Sequence, residues 1–194
     1  PSFICYDNIM STHFAGHPLG QSILGTNASI TALTAEQMQT YHRSRYHTGN
    51  ITLAVAGNCD FDEIVALAEK YCSRIPKGQS VRALPEVLTK PTVRTVVRES
   101  SVQQHVMQMG PGPKSNNSLR FAAELLSVVV GDDSNSRLFW ELVDPGHAES
   151  ADLGYSEYDG AGAWMNYLSC SPEDVAENLA RCKQVFDDVN ANSI

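Results

Sequence analysis

The segment from His17 to Gly57 constrains the fold most strongly, because it predicts a capped helix followed directly by a strand. Thr34 is placed to cap the helix and Gln37 lies three residues later, which is the spacing of a capping box. Gly49 is placed to end the helix. One side of this predicted helix carries the side chains expected to face inward, which are Met38, Tyr41 and the stem of Arg45.

A short strand and a second helix are predicted to follow. Ile51 to Ala56 is apolar on both faces except at Thr52, which is typical of a strand covered on both sides. Asp60 and Glu63 have capping-box spacing and begin a helix that extends to about Ser73. Its expected core stripe comprises Phe61, Ile64, Leu67, Ala68 and Tyr71.

Beyond Pro91 the sequence predicts mostly paired strands and covering helices. Strands are expected at 92–99 and 102–109, and again at 153–158 and 163–169. A helix over 118–130 is expected to end at Gly131, and to turn inward Leu119, Ala122, Leu125, Leu126 and Val129. A short helix over 137–143 follows, and a long helix begins at Pro172. The long helix is expected to pack on the sheet through Val175, Leu179, Cys182, Phe186 and Val189.

These elements predict an α+β fold of antiparallel sheets covered by helices. Residues 77–91 contain two prolines and little periodicity, so they are interpreted as a linker between a part comprising residues 1–76 and a part comprising residues 92–194. No apolar run approaches the roughly 18 residues of a membrane helix. The odd number of cysteines without a C-x-x-C pair indicates reduced thiols, which suggests a soluble, cytoplasmic protein.

Charge is distributed unevenly along the chain. Residues 1–90 contain seven Lys and Arg against seven Asp and Glu, whereas residues 91–194 contain seven against fifteen, so the whole net charge of −8 lies in the second half. A nucleic-acid partner is therefore not expected. Two interpretations of the acidic half remain, a wall that attracts basic peptides and a solvated surface that maintains solubility.

Few side chains have the spacing of a catalytic or metal site. His13 and His17 are four residues apart, but Gly16 and Pro18 flank His17 and disfavour a continuous helix through both histidines. A structural role, with the His17 ring hydrogen-bonded to the backbone, is therefore favoured. His105 is expected to be packed or hydrogen-bonded within its strand. Asp132 and Asp133 are expected to lie in a solvated region that caps the next helix. No catalytic residue and no metal ligand is assigned in this sequence.

Three separated motifs nevertheless resemble one family. They are GHPLGQSILGT, then YHRSRYHTGNITLAVAGNCDFDEIVALAEKYC, and finally SRLFWELVDPG with YSEYDGAGAWMNYLSCSPED. In this order they are similar to the M16 zinc metallopeptidases, the family of pitrilysin, insulinase and the mitochondrial processing peptidase. The resemblance implies LuxS/metallohydrolase-like domains. Residues 1–76 would be the C-terminal half of a first domain and residues 92–194 a second domain that is complete or truncated.

The resemblance also implies a zinc site outside this sequence. In the family, an inverted H-x-x-E-H helix and a downstream Glu hold the metal N-terminal to the GHPLG-like motif. The zinc would therefore belong to the longer parent protein, with no cofactor in this segment. The implied partners are a peptide substrate, which would be basic if the acidic half attracts it, and a second M16-like domain or subunit.

One departure from the family concerns transition-state stabilisation. Family members that contribute to catalysis from the second domain have an Arg and a Tyr after the S-R-L-F helix, where this sequence has Val143 and Glu149. Val cannot polarise a carbonyl, and a carboxylate would oppose a developing oxyanion.

Three hypotheses follow from the sequence. The first is a fragment of a zinc endopeptidase that forms part of the substrate chamber. The second is a non-catalytic homologue that has a structural or substrate-holding role. The third is a peptide-binding module that uses a sheet edge.

Overall fold

Three antiparallel strands with helices on both faces form the centre of the larger part of the molecule. The computed structural model describes residues 2–80 and 84–192. The chain divides into one unit of Pro1–Ile23 with Leu84–Ile194 and a second unit of Leu24–Ala83. The predicted α+β class, with an antiparallel sheet and covering helices, is confirmed.

The sheet has the order β1-β3-β2. β1 spans Gln104–Pro111, β2 spans Ser150–Tyr158 and β3 spans Ala161–Cys170. A two-residue turn joins β2 to β3, and Gly160 in that turn has a φ of 85°, a conformation that favours glycine. β3 is the most buried strand because it is paired on both sides.

One face of the sheet is covered by three helical segments. These are α5 over Arg120–Gly131, a π-helix over Phe139–Val143 and α6 over Val175–Asn192. The predicted packing of α6 is confirmed, since its apolar side lies in the main core. This core has at its centre Val130, Leu138, Leu142, Ala148, Ala151, Leu168, Cys170 and Cys182.

The opposite face of the sheet is partly covered by α1, which spans Ser2–His13. The Cys5 thiol at one end of α1 donates to the carbonyl oxygen of His105 at 3.6 Å. Just after the helix, Phe14 is buried in a second, smaller core with Ala161 and Ala163 of β3. The sheet therefore has helices on both of its faces.

The expected inward side of α5 was wrong except at Leu126, which packs against the main core. The structure buries Ala123, Ser127 and Val130, whereas Leu119, Leu125 and Val129 are exposed. Because apolar residues occur all round this helix, their spacing alone cannot identify the side that packs on the sheet.

The smaller unit contains α2 over Asn27–Thr31, α3 over Ala35–Arg45 and α4 over Phe61–Cys72. The capping box of α3 is present in both directions, with Gln37 N–H donating to Thr34 Oγ1 at 3.2 Å and Thr34 N–H donating to Gln37 Oε1 at 2.9 Å. Asp60 Oδ1 accepts from Glu63 N–H at 3.0 Å and caps α4. The local start signals of both helices are confirmed.

The expected burial in this unit was wrong. No described residue between 24 and 80 is buried, and the predicted core side chains Met38, Tyr41, Phe61 and Tyr71 are all exposed. Residues 51–56 form no strand. The apolar sides of α3 and α4 are not buried because, in the described part of this unit, no sheet lies against them. α3 also ends at Arg45 and not at Gly49 as expected, and Gly49 lies within a 3-10 helix over Thr48–Asn50.

The strand expected at 92–99 is also absent, and Val93 and Val97 are exposed. Its alternating pattern suits a strand, but a strand is stable only when its backbone groups pair with a neighbour. The described residues place no strand beside it. The next strand, expected at 102–109, is present as β1 but spans Gln104–Pro111.

All five cysteines are unpaired. Cys170 and Cys182 are buried in the main core, and burial raises the pKa of the Cys182 thiol to about 11. None of the helices in the described part of the chain is both long and apolar enough to cross a membrane.

Candidate functional site

The two N-terminal histidines have structural contacts. His17 precedes a 3-10 helix over Pro18–Gly20, and its Nδ1 accepts from Leu19 N–H at 3.1 Å, which is the bond to backbone that the sequence predicts. His13 is buried at the end of α1, with its ring 4.7 Å from that of Phe14, and burial lowers its pKa. Residues 2–80 and 84–192 contain no group of three or more side chains suited to hold a metal ion.

His105 is paired across the sheet. Its Nδ1 lies 2.9 Å from the hydroxyl of Tyr167 on β3, and the two ring planes are 17° apart. The strand register places Ser169 directly opposite His105, and Ser169 Oγ donates to Gln103 Oε1 at 2.9 Å. The expected hydrogen-bonded role of His105 is therefore confirmed, and Tyr167 is the partner that spacing within one strand could not identify.

Tyr167 also faces a carboxylate. The register pairs Tyr167 with Met107 on β1 and with Asp152 on β2, so the three side chains lie in one row on the same face of the sheet. Burial raises the pKa of Tyr167, and the charges of Asp152 and Glu149 act in the same direction. This face therefore combines an aromatic hydroxyl with negative charge.

Three carboxylates interact at the end of α5. The pKa of Asp133 is raised because its protonated carboxyl can donate a hydrogen bond to Asp132 and because the negative charge of Asp132 lies close to it. Burial, followed by the charges of Asp133 and Asp132, raises the pKa of Asp152. Within the described ranges none of the three forms an ion pair. The cluster is therefore an uncompensated concentration of negative charge.

Asp132 and Asp133 are exposed, as expected, but they do not cap the next helix. Ser136 caps the following helical segment, since its Oγ accepts from Phe139 N–H at 3.1 Å. Asp132 instead lies at the C-terminal cap of α5, where its N–H donates to the carbonyl oxygen of Val128. A carboxylate there is unfavourable, because a helix C-terminus carries partial negative charge.

Replacing Asp152 with asparagine is expected to stabilise the fold at neutral pH by about 0.5–1 kcal/mol, a value reduced for the partial exposure of this group. Because its pKa is raised in the folded state, Asp152 contributes stability when protonated, and that contribution is lost as pH rises through the folded pKa. Urea unfolding at pH 7 should show the gain, and unfolding below the usual Asp value of 3.8 should show none. Glu173→Gln, an exposed charge change, serves as the control; an equal gain from it would contradict the local explanation.

The two positions that the resemblance compares with a family Arg and Tyr, Val143 and Glu149, contain no transition-state donor. Val143 ends the π-helix and packs its side chain against the main core. Glu149 is exposed just before β2, and its backbone N–H donates to the carbonyl oxygen of Ser169 at 2.8 Å. Neither side chain supplies a positive or hydrogen-donating group at neutral pH.

Comparison with known proteins identifies the family. The model of the family described as "Peptidase M16 inactive domain" matches residues 32–194. The chain belongs to the M16 peptidase family.

Two curated proteins are similar to most of the chain. The chain is 29% identical over 199 residues to an uncharacterized zinc protease of Mycobacterium leprae (strain TN), covering 97% of this chain and 43% of that protein. It is 26% identical over 193 residues to a probable mitochondrial-processing peptidase subunit beta of Schizosaccharomyces pombe, covering 92% of this chain and 41% of that protein. The chain therefore spans less than half the length of the curated relatives it matches.

A solved structure of similar fold is the peptidase M16 inactive domain from Pseudomonas fluorescens. It superposes with a TM-score of 0.91 at 20% identity, covering 100% of this chain and 48% of that chain. At this identity the similarity supports the M16 fold of the chain.

Proposed function

We propose that the full-length protein is a zinc endopeptidase that acts on peptides or unfolded segments, and that residues 92–194 form an acidic, non-catalytic part of its substrate chamber. The observation that carries this proposal is the concentration of uncompensated carboxylates in a half that contains fifteen Asp and Glu against seven Lys and Arg. Val143 and Glu149, at the positions where other family members contribute to catalysis, support the non-catalytic role.

The zinc in this proposal is held by residues outside this sequence. Relatives named zinc proteases are more than twice as long as the aligned segment, and the described residues contain no metal-binding group. When bound, such a metal polarises the scissile carbonyl and activates water. The part played by residues 92–194 would be to attract and hold the substrate.

Residues 1–76 would belong to a first domain, joined through 77–91 to the second. Exposed apolar side chains along α3 and α4 support a separate first domain only from residue 24 onward, because a segment of this size without buried residues does not have a core of its own. Residues 2–23 lie instead in the unit that contains the sheet, where Phe14 packs against Ala161 and Ala163. A second M16-like domain or subunit would complete the chamber, in line with the word "subunit" in the name of the Schizosaccharomyces pombe relative.

The proposal is tested by metal analysis and peptide cleavage with the full-length protein. We expect one tightly held zinc, loss of cleavage on chelation, and recovery on adding zinc. His17→Asn should keep both zinc and activity, because an asparagine side chain also accepts a hydrogen bond at a helix start. Loss of zinc from this variant while it remains folded would contradict the placement of the metal outside this segment.

A second candidate function is a non-catalytic M16 homologue that holds substrate or supports an assembly. The description of the matching family as an inactive domain favours it. A zinc-loaded, folded full-length protein that cleaves no peptide would select this candidate.

A further inference from the structure

Two buried histidines flank one buried phenylalanine at the point where α1 ends. Phe14 is 1% exposed, His13 is 9% exposed and His17 is 8% exposed. The His13 ring meets the Phe14 ring edge-on at 82°, and the centroid of the His17 ring lies 5.9 Å from that of Phe14. Residues 13–20 are termed the histidine corner. Phe14 attaches this corner to the sheet, because it packs in the smaller core on β3.

Backbone hydrogen bonds close the histidine corner. His17 N–H donates to the carbonyl oxygen of Phe14 at 2.9 Å, and Gly20 N–H donates to that of His17 at 3.0 Å. The chain approaches itself so closely here that a Cβ at Gly20 would overlap the carbonyl oxygen of Phe14. We therefore expect exposure of the two histidine rings to require opening of the whole corner.

Both histidines are placed as uncharged rings. His17 Nδ1 accepts from Leu19 N–H at 3.1 Å, so a proton on this nitrogen would remove the acceptor and leave two donors facing each other. Burial lowers the pKa of His13, because a charge in apolar surroundings loses its hydration. Within the described ranges neither ring is part of an ion pair. Protonation of the two rings would therefore bury two unpaired charges around one phenylalanine.

The surroundings of the histidine corner offer little to balance such charges. In the smaller core the titratable side chain is that of Tyr158 on β2, whose ring centroid lies 5.7 Å from that of Phe14. Burial is the cause of the lowered pKa of His13, and no neighbouring charge contributes to it. The other titratable groups on this side of the sheet and on the segments that pack there are Cys5, Tyr6, Asp7, Glu86, Lys90, His105, Asp152, Asp159 and Tyr167.

We propose that His13 and His17 form an acid-sensitive attachment, which holds α1 on the sheet at neutral pH and releases residues 2–20 when the two rings are protonated. This inference does not depend on zinc or on peptide cleavage. Because the pKa of His13 is lowered in the folded state, its contribution is complete above the ordinary histidine value of 6.5 and is lost as pH falls below that value. The chain enters the second unit at Leu24, so the released segment is the one that leads into that unit.

Hydrogen–deuterium exchange of the full-length protein, followed by mass spectrometry, tests this inference. Protection factors are compared at about pH 7.5 and about pH 5, on either side of the ordinary histidine pKa, after correction for the intrinsic exchange rates. We expect protection of residues 2–20 to fall about tenfold or more at the lower pH. Protection of α6 should change less than about twofold, because α6 packs in the main core, which contains no histidine.

Neutral variants test whether the two rings cause the effect. His17→Asn keeps a hydrogen-bond acceptor at the start of the 3-10 helix, His13→Asn places a smaller amide at the end of α1, and neither amide titrates in this pH range. In the double variant we expect protection of residues 2–20 to differ less than about twofold between the two pH values. His42→Gln, which removes an exposed histidine from α3, is the control and should keep the full response.

Equal protection of residues 2–20 at the two pH values in the wild-type protein would overturn the inference. A full response in the double variant, or its loss in His42→Gln, would also overturn it, because the titrating group would then lie elsewhere. If the double variant is unfolded at neutral pH, each single variant is measured, and a full response in both would reject the two rings. An equal fall in protection of α6 would indicate general acid unfolding and would likewise reject a local switch.

Discussion

Replacing Gly131 with alanine is expected to lower the free energy of unfolding by at least about 3 kcal/mol, at the upper end of the usual cost of overpacking. An added Cβ would lie 2.1 Å from the backbone nitrogen of Leu153 and 2.6 Å from its Cα. These are backbone atoms of β2, so no rotamer change can relieve the overlap, and α5 would have to move away from the sheet. Gly131 is needed for this close approach rather than for a helix-ending conformation, because its φ is not positive.

Gly110→Ala is the matched control for this prediction. Its added Cβ would meet no atom within 4 Å. Alanine also restricts the unfolded chain, so the expected change is neutral or a gain of up to about 1 kcal/mol. Urea denaturation of both variants makes the comparison, and a loss at Gly131 no larger than that at Gly110 would contradict the packing of α5 on β2.

Leu142→Ala is expected to cost about 3–5 kcal/mol, because Leu142 is 0% exposed in the main core and its truncation leaves a cavity between the π-helix and the sheet. Trp140 is on the same short helix but is 55% exposed. Trp140→Ala removes more atoms, yet it should cost less than about 1 kcal/mol. The denaturation midpoints of the two variants test this order, and a larger loss at Trp140 would show that the π-helix packs by its other side.

The sequence predicted best the features that depend on near neighbours in the chain. The cap of α3 by Thr34 and Gln37, and that of α4 by Asp60, need only residues within one helical turn, and both are present. The apolar side of α6 was also predicted, because the opposite side of that helix is charged and leaves one side to be buried.

Features that depend on distant partners were predicted less well. Residues 51–56 and 92–99 have strand-like patterns, but a strand exists only if another strand pairs with it. α5 is apolar on two sides, so its spacing could not identify the side that packs. Tyr167 could not be recognised as the partner of His105, because the two residues are 62 positions apart and meet only through the register of β1 and β3.

The central claim is that the second half forms an acidic wall that attracts basic substrates, and the salt dependence of cleavage tests it most directly. Screening shortens the reach of charge from about 10 Å at 0.1 M salt to about 3 Å at 1 M. The assay uses zinc-loaded full-length protein and matched peptides that differ only in having Lys and Arg or Asp and Glu. At low salt we expect kcat/KM to be higher for the basic peptide than for the acidic peptide. We expect it to fall about tenfold or more over that salt range, while the acidic peptide changes little or gains. Equal kcat/KM for the two peptides at low salt would contradict the account.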